Sequence, residues 1–229
     1  MTVEYKELLS DKRKALLSWI YEDIERVACK VPDEDKIQGA RFFITGGTGS
    51  VGIWLTRLLL YASKEKGWRL RLTLLTRDIE KLRKRDPDLA EEVELIEGDI
   101  RSFPFPKGSY EYVVHAATDT NGMQNEENPL DLLSSIVDGT KRVLEFACRC
   151  KCHKMLYVSS GAVYDKHQNS MTSIPESCLL APDICGNPCS SAYGEGKRMG
   201  ELLCLLYSKK GKRPTSRTYP QSGRSVILL

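Results

Sequence analysis

The chain has 229 residues, 41% hydrophobic and 28% charged, with a formal net charge of +3. That composition belongs to folded globular proteins and excludes disordered and fibrous classes; a chain this long builds a core without disulfide or metal staples. No run reaches the ~20 apolar residues of a membrane span, and the N-terminus MTVEYKELLSDKRK is too charged for a secretory signal, so a cytoplasmic protein with no membrane partner is expected. Residues 208–229 hold six Lys or Arg and no acid, which leaves 28 basic and 31 acidic side chains in the remainder. The body therefore offers no basic face to a nucleic acid, and 208–229 are expected as a solvated, poorly ordered tail. The eight cysteines read as free thiols of a reducing compartment. Cys148-x-Cys150-x-Cys152-His153 lacks a second ligand pair at zinc spacing, so no metal site is expected.

In chain order, residues 1–39 read as a helical extension. Leu8, Leu9, Leu16, Leu17, Ile20, Ile24 and Val27 recur at largely helical spacing, and Pro32 with the acidic run 33–35 makes a connector. From residue 41 the period changes. Short apolar runs at 41–45, 70–75, 93–96, 112–117 and 155–159 read as strands. Helical patterns fill the gaps at 51–62, 79–85, 130–148 and 192–207. This alternation predicts βαβ units: an α/β, doubly wound parallel sheet over residues 40–207, with its ligand beyond the strand C-termini.

Thr45-Gly46-Gly47-Thr48-Gly49-Ser50-Val51-Gly52 closes the first strand and opens the first helix. Glycines there allow a tight turn, close backbone approach to a pyrophosphate and close packing of helix on strand, while the helix N-terminus offers N–H groups to phosphate. The second strand ends Leu75-Thr76-Arg77-Asp78. Thr76 stands where a carboxylate would hold the ribose of NAD, and Arg77 suits the 2′-phosphate of NADP; the reading favours NADP, with NAD open because Asp78 could serve. At the third strand end, Asp99 can accept from the adenine amino group and Ile100 can flank the ring. Ala116 and Ala117, at the fourth, leave room for cofactor against backbone.

Tyr193 and Lys197, at i and i+4, share one helix face. A free phenol ionises near pH ~10, too high for a base at neutral pH, and a neighbouring ammonium favours the phenolate. Such a tyrosine can exchange a proton with a substrate hydroxyl, and the lysine can also hold a ribose. A serine hydroxyl at the end of the fifth strand, Ser159-Ser160, can fix the reacting oxygen.

The motifs TGGTGSVG (45–52), GDI (98–100), HAA (115–117), VSSGAVY (158–164) and YGEGK (193–197), in this order, resemble the extended short-chain dehydrogenase/reductases, in particular their NAD-dependent epimerase/dehydratase branch acting on nucleotide sugars. The resemblance covers about residues 40–207. It implies a Rossmann domain with Tyr193 as acid/base, Lys197 as its partner and Ser160 as the third catalytic residue. Gly46, Gly49, Ser50, Val51 and Gly52 would then line the pyrophosphate site. It further implies a nucleotide-sugar substrate oxidised to a keto intermediate. Gly161 and Ala162 replace the Asp-Glu pair of the 4,6-dehydratases, which favours an epimerase or ketoreductase. Ile136 replaces a family Asn. After Tyr207 the expected sixth strand and C-terminal substrate region are not recognisable, and Val226–Leu229 is at most a stub. The alternative is a truncated, non-catalytic NAD(P)-binding remnant or regulatory subunit. The N-terminal helix is expected either to cover a sheet edge or to contribute to a homodimer.

Overall fold

The alternation of apolar runs and amphipathic helices becomes, in a computed structural model, one sheet clothed on both faces. Described are residues 22–30, 37–118, 127–164, 181–186, 188–210, 217–221 and 224–228. Strands β1 (Arg41–Thr45), β2 (Arg71–Thr76), β3 (Glu94–Glu97), β4 (Tyr112–His115) and β5 (Lys154–Val158) are all parallel. They lie in the order β3-β2-β1-β4-β5. Helices α1 (Gly52–Glu65), α2 (Ile79–Arg85), α3 (Pro87–Glu92), α4 (Pro129–Arg149) and α5 (Pro188–Lys210) connect or follow them. The result is the Rossmann-type parallel sheet with flanking helices that the motif order implies. Because the strands run the same way, their carboxyl ends form one rim, and the strand order reverses between β1 and β4.

Strand β1 explains why the runs are apolar throughout rather than alternating. Phe42 and Ile44 face a core with Leu59 and Leu60 of α1, whereas Phe43 faces a second core with Val143 and Phe146 of α4. A parallel sheet covered on both faces has no wet side. Phe43 also stacks on Phe103 and meets Phe146 at 4.7 Å between ring centroids.

At the N-terminus, residues 22–28 are helical, with Ile24 and Ala28 buried. Val27, expected on the apolar face, is half exposed, one position off that face. Leu8 to Ile20 and the connector at 32–35 lie outside the described residues.

Within 208–229, where a tail is expected, the described residues lie in regular elements. Helix α5 continues to Lys210, and β6 (Arg217–Gln221) and β7 (Arg224–Leu228) pair antiparallel with each other. Strand β7 pairs antiparallel with β5, Val226 against Val158 through Leu228 against Leu156, extending the sheet to seven strands. The apolar run at 226–228 is too short to declare itself a strand, but it gains the free edge of β5 as a template. Pro220, with no N–H to donate, sits in the outermost strand, where that loss is tolerated.

Candidate active site and dinucleotide cleft

The glycine loop shows why its residues are glycine. Gly46 has φ +69°, and a Cβ there would lie 2.5 Å from the backbone of Ala116 and Ala117. A Cβ on Gly52 would lie 2.0 Å from the carbonyl oxygen of Gly46. The loop thus folds tightly on itself and against the end of β4, while Gly49 N donates to Gly46 O over 3.0 Å.

Beside this loop a cleft of about 410 Å³ opens along the ends of β1, β2 and β3. Of the expected cofactor residues, Gly46, Gly49, Arg77, Asp99, Ile100 and Ala117 line it. Gly52 and Ala116 lie behind the lining as packing partners of Gly46, Val51 is half exposed at the helix start, and Ser50 is exposed. The glycine cradle and the basic edge of the cleft fit a dinucleotide.

Three features of the cleft were not anticipated from the sequence. Lys81 and Arg85 of α2 join Arg77 in its wall, each four residues after the last. The nearby carboxylates are meanwhile engaged by backbone: Asp78 caps α2 by accepting from Lys81 N at 2.8 Å, and Glu97 accepts from Ile79 N at 2.8 Å. Second, Arg101 grips Asp99 through both carboxylate oxygens, Nε and Nη2 each donating over 2.8 Å, and reaches Asp131 of α4. These guanidinium bonds hold the Asp99 carboxyl down at about 2. Asp99 Oδ1 also accepts from Arg101 N, so most of its acceptor capacity is spent inside the protein, leaving Oδ2 open for one further donor. Third, Ile100 packs on the bare Cα of Gly139, where a Cβ would come within 2.9 Å of its side chain.

Tyr193, Lys197 and Ser160 gather beyond the cleft, at the end of β5. Ser160 caps the 3-10 turn Gly161–Val163, its Oγ accepting from Ala162 N at 3.2 Å. That turn docks on α5 at Gly194, where a Cβ would lie 2.2 Å from Ala162 O, so the missing side chain brings Ser160's turn beside Tyr193. Lys197 is 3% exposed; its Nζ donates to Val158 O at 2.9 Å and lies 6.0 Å from the Tyr193 ring centroid. Burial pushes the Lys197 ammonium down to about 8, with the charge of Glu201 opposing the fall. Gly196 and Gly200 complete the approach. The first faces Ile136 of α4, and the second leaves space for the Tyr157 hydroxyl, 2.2 Å from where its Cβ would be. Ile136, in the place of the family Asn, is buried in that helix–helix contact.

The cysteine cluster sits at the end of α4, where Cys150 is the C-cap. Among the described residues no three His, Cys, Asp or Glu side chains are grouped to hold a metal ion, and no helix is long and apolar enough to cross a membrane.

The fold recurs in solved structures. The UDP-Glc/GlcNAc 4-epimerase of Campylobacter jejuni matches with a TM-score of 0.56 and 20% identity, over 75% of this chain and 50% of that one. DesIV, a dTDP-glucose 4,6-dehydratase from Streptomyces venezuelae solved with NAD bound, matches with a TM-score of 0.58 and 21% identity, over 74% and 52%. The UDP-N-acetylglucosamine 4-epimerase of Methanobrevibacter ruminantium matches with a TM-score of 0.58 and 20% identity, over 75% and 51%. The chain thus spans about half the length of these proteins. No curated protein matches it. The family model of the NAD-dependent epimerases/dehydratases matches residues 42–219, from β1 through β6 and across the cleft and the Tyr/Lys helix alike. On that match, over more than three quarters of its length, the chain belongs to the NAD-dependent epimerase/dehydratase family.

Proposed function

We propose that the chain binds NADP in preference to NAD along the rim and, with Tyr193, Lys197 and Ser160, catalyses hydride transfer on a nucleotide sugar through a keto intermediate. The observation that carries this reading is the convergence of the buried Lys197, Tyr193 and the Ser160 turn beyond the cleft, at the end of β5. Tyr193 is positioned to exchange a proton at its phenolic oxygen with a substrate hydroxyl. Ser160 Oγ accepts from Ala162 N and keeps its own proton for the reacting oxygen. Lys197 has the charge to hold the nicotinamide ribose and to favour a neighbouring phenolate. The bound nicotinamide ring would supply the hydride chemistry. Gly46, Gly49, Ser50, Val51 and Gly52 are assigned to the pyrophosphate, and Asp99 and Ile100 to the adenine. Gly161 and Ala162 put no carboxylate after Ser160, which supports an epimerase or ketoreductase over a 4,6-dehydratase.

The NADP preference rests on charge. Arg77, Lys81 and Arg85 face the cleft, while Asp78 and Glu97 accept from the backbone of α2. A homodimer through α5 belongs to the same proposal, supported by Met199, Leu202 and Leu206, each more than 40% exposed along one side of the helix.

Calorimetric titration with NADP and NAD tests the cofactor half. NADP should bind at least tenfold more tightly, the worth of about one charge-assisted phosphate contact, and Lys81→Ala should erase most of that ratio. Equal affinities would remove the NADP assignment. A second reading, a cofactor binder without turnover, is favoured by Ile136, a buried apolar residue in the place of the family Asn. A nucleotide-sugar panel separates the two: turnover that Tyr193→Phe abolishes, with cofactor binding intact, supports the enzyme, and turnover unchanged in that variant refutes the mechanism.

A further inference from the structure

Lys197 and Glu201 are one helical turn apart on α5, and both reach the end of β5. The Lys197 ammonium donates to Val158 O at 2.9 Å, and the Glu201 carboxylate accepts from the hydroxyl of the next residue, Ser159. Two consecutive residues at the end of β5 thus engage an ammonium and a carboxylate of the same helix face, in a place where Lys197 is 3% and Ser159 is 5% exposed. We infer that Glu201, pinned by Ser159, is the counter-ion of the buried Lys197 and a positioning residue of the Tyr193–Lys197 pair.

The surrounding groups leave that task to Glu201. On α5, Tyr193 lies one turn before Lys197, and Cys204, fully buried, has its thiol pushed up to about 12. On β5, Tyr157 lies under the ammonium, 5.1 Å from its ring centroid, and burial raises its phenol further above the ordinary value. On β4, His115 is driven down to about 3 by burial, with Lys197 adding to the fall. At neutral pH these last three are uncharged, so Glu201 is the anion facing Lys197 among the groups named. A buried ammonium without a counter-charge sheds its proton, and a neutral lysine neither favours a phenolate nor grips a ribose oxygen as strongly.

The role rests on reading Tyr193 and Lys197 as the catalytic pair, but its test does not need turnover. The full chain, without ligand, is labelled competitively with acetic anhydride across pH, and acetylation of Lys197 is read by mass spectrometry. The wild-type midpoint is expected near 8. Glu201→Gln should lower it by at least about one pH unit, tenfold in the protonation equilibrium, and Ser159→Ala should lower it by less. An unshifted midpoint in a folded Glu201→Gln protein overturns the inference; should that variant fail to fold, an unshifted midpoint in Ser159→Ala does so instead. NADP titrations on the same samples separate the two claims. A shifted midpoint in a chain that binds no dinucleotide upholds the counter-ion and refutes the cofactor reading.

Discussion

His115 stands inside the sheet with both ring nitrogens engaged, Nδ1 with Thr45 Oγ1 at 2.7 Å and Nε2 with Thr140 Oγ1 at 3.1 Å. Burial holds it neutral, down to about 3 from the ordinary 6.5. The unfolded chain therefore carries a proton that the folded chain refuses between those two values. Stability from this group is complete above 6.5 and is lost as pH falls toward 3. The urea midpoint of unfolding should fall between pH 6.5 and 4, and His115→Asn should flatten that fall; equal slopes in both proteins would assign acid sensitivity elsewhere. At this scale the sequence was legible where a residue type has one use. Gly46 and Gly52 could be named because only a missing side chain serves there. Lys81, Arg85 and Glu201 were not read, although each continues a spacing of four from a residue that was, from Arg77 and from Lys197. A charged residue on a helix reads as solvated until a neighbouring element shows which side is walled.

The elements were more legible than their joints. The pattern Ile79–Arg85 gave α2 with its observed bounds, because Asp78 caps it and Asp86-Pro87 interrupts it. The joint that fixes α2 and α3 against α1 is a buried pair, Arg57 with Asp86, 2.9 and 2.7 Å to the two carboxylate oxygens. Asp86 also caps α3 by accepting from Leu89 N. Nothing in the local pattern around Arg57 distinguishes it from a surface arginine, since its partner is 29 residues away. Asp86→Ala strands a guanidinium whose side chain is 5% exposed and removes a helix cap. The expected loss is about 3–5 kcal/mol, a drop in Tm of roughly 10 °C by thermal unfolding. A drop under about 2 °C would mean that the guanidinium finds solvent. Conversely, the glycines of α5 are poor helix formers that the sequence tolerates for packing. Gly194, Gly196 and Gly200 each admit a neighbour where a Cβ would not fit or would crowd.

At the scale of the molecule, the parallel order followed from alternation and the motif sequence, whereas the seventh strand position did not. Strand β7 is antiparallel and depends on an edge supplied by β5, about seventy residues earlier; the signal available was Ser222-Gly223 between two short runs, a hairpin spacing. The outer face of α5 is the other global feature. Met199, Leu202 and Leu206 expose apolar surface that a second copy would bury. Leu202→Glu should turn a dimer into a monomer in sedimentation velocity with NADP affinity unchanged. A wild-type monomer would remove the homodimer from the proposal.

The rim formed by five parallel strand ends acts as a ruler. Four interstrand gaps of about 4.8 Å separate Asp99's strand from Ser160's, roughly 19 Å in all, with one set of residues at each graduation: Asp99 and Ile100, the basic wall, the glycine loop, Ala116 and Ala117, then Ser160 with tyrosine and lysine of α5. On the proposed assignment an adenosine bisphosphate would occupy the first three marks and stop. Changes on α5 should therefore be silent to adenosine bisphosphates and audible to whole dinucleotides, so the difference in binding between a fragment and its parent measures the far end of the ruler alone.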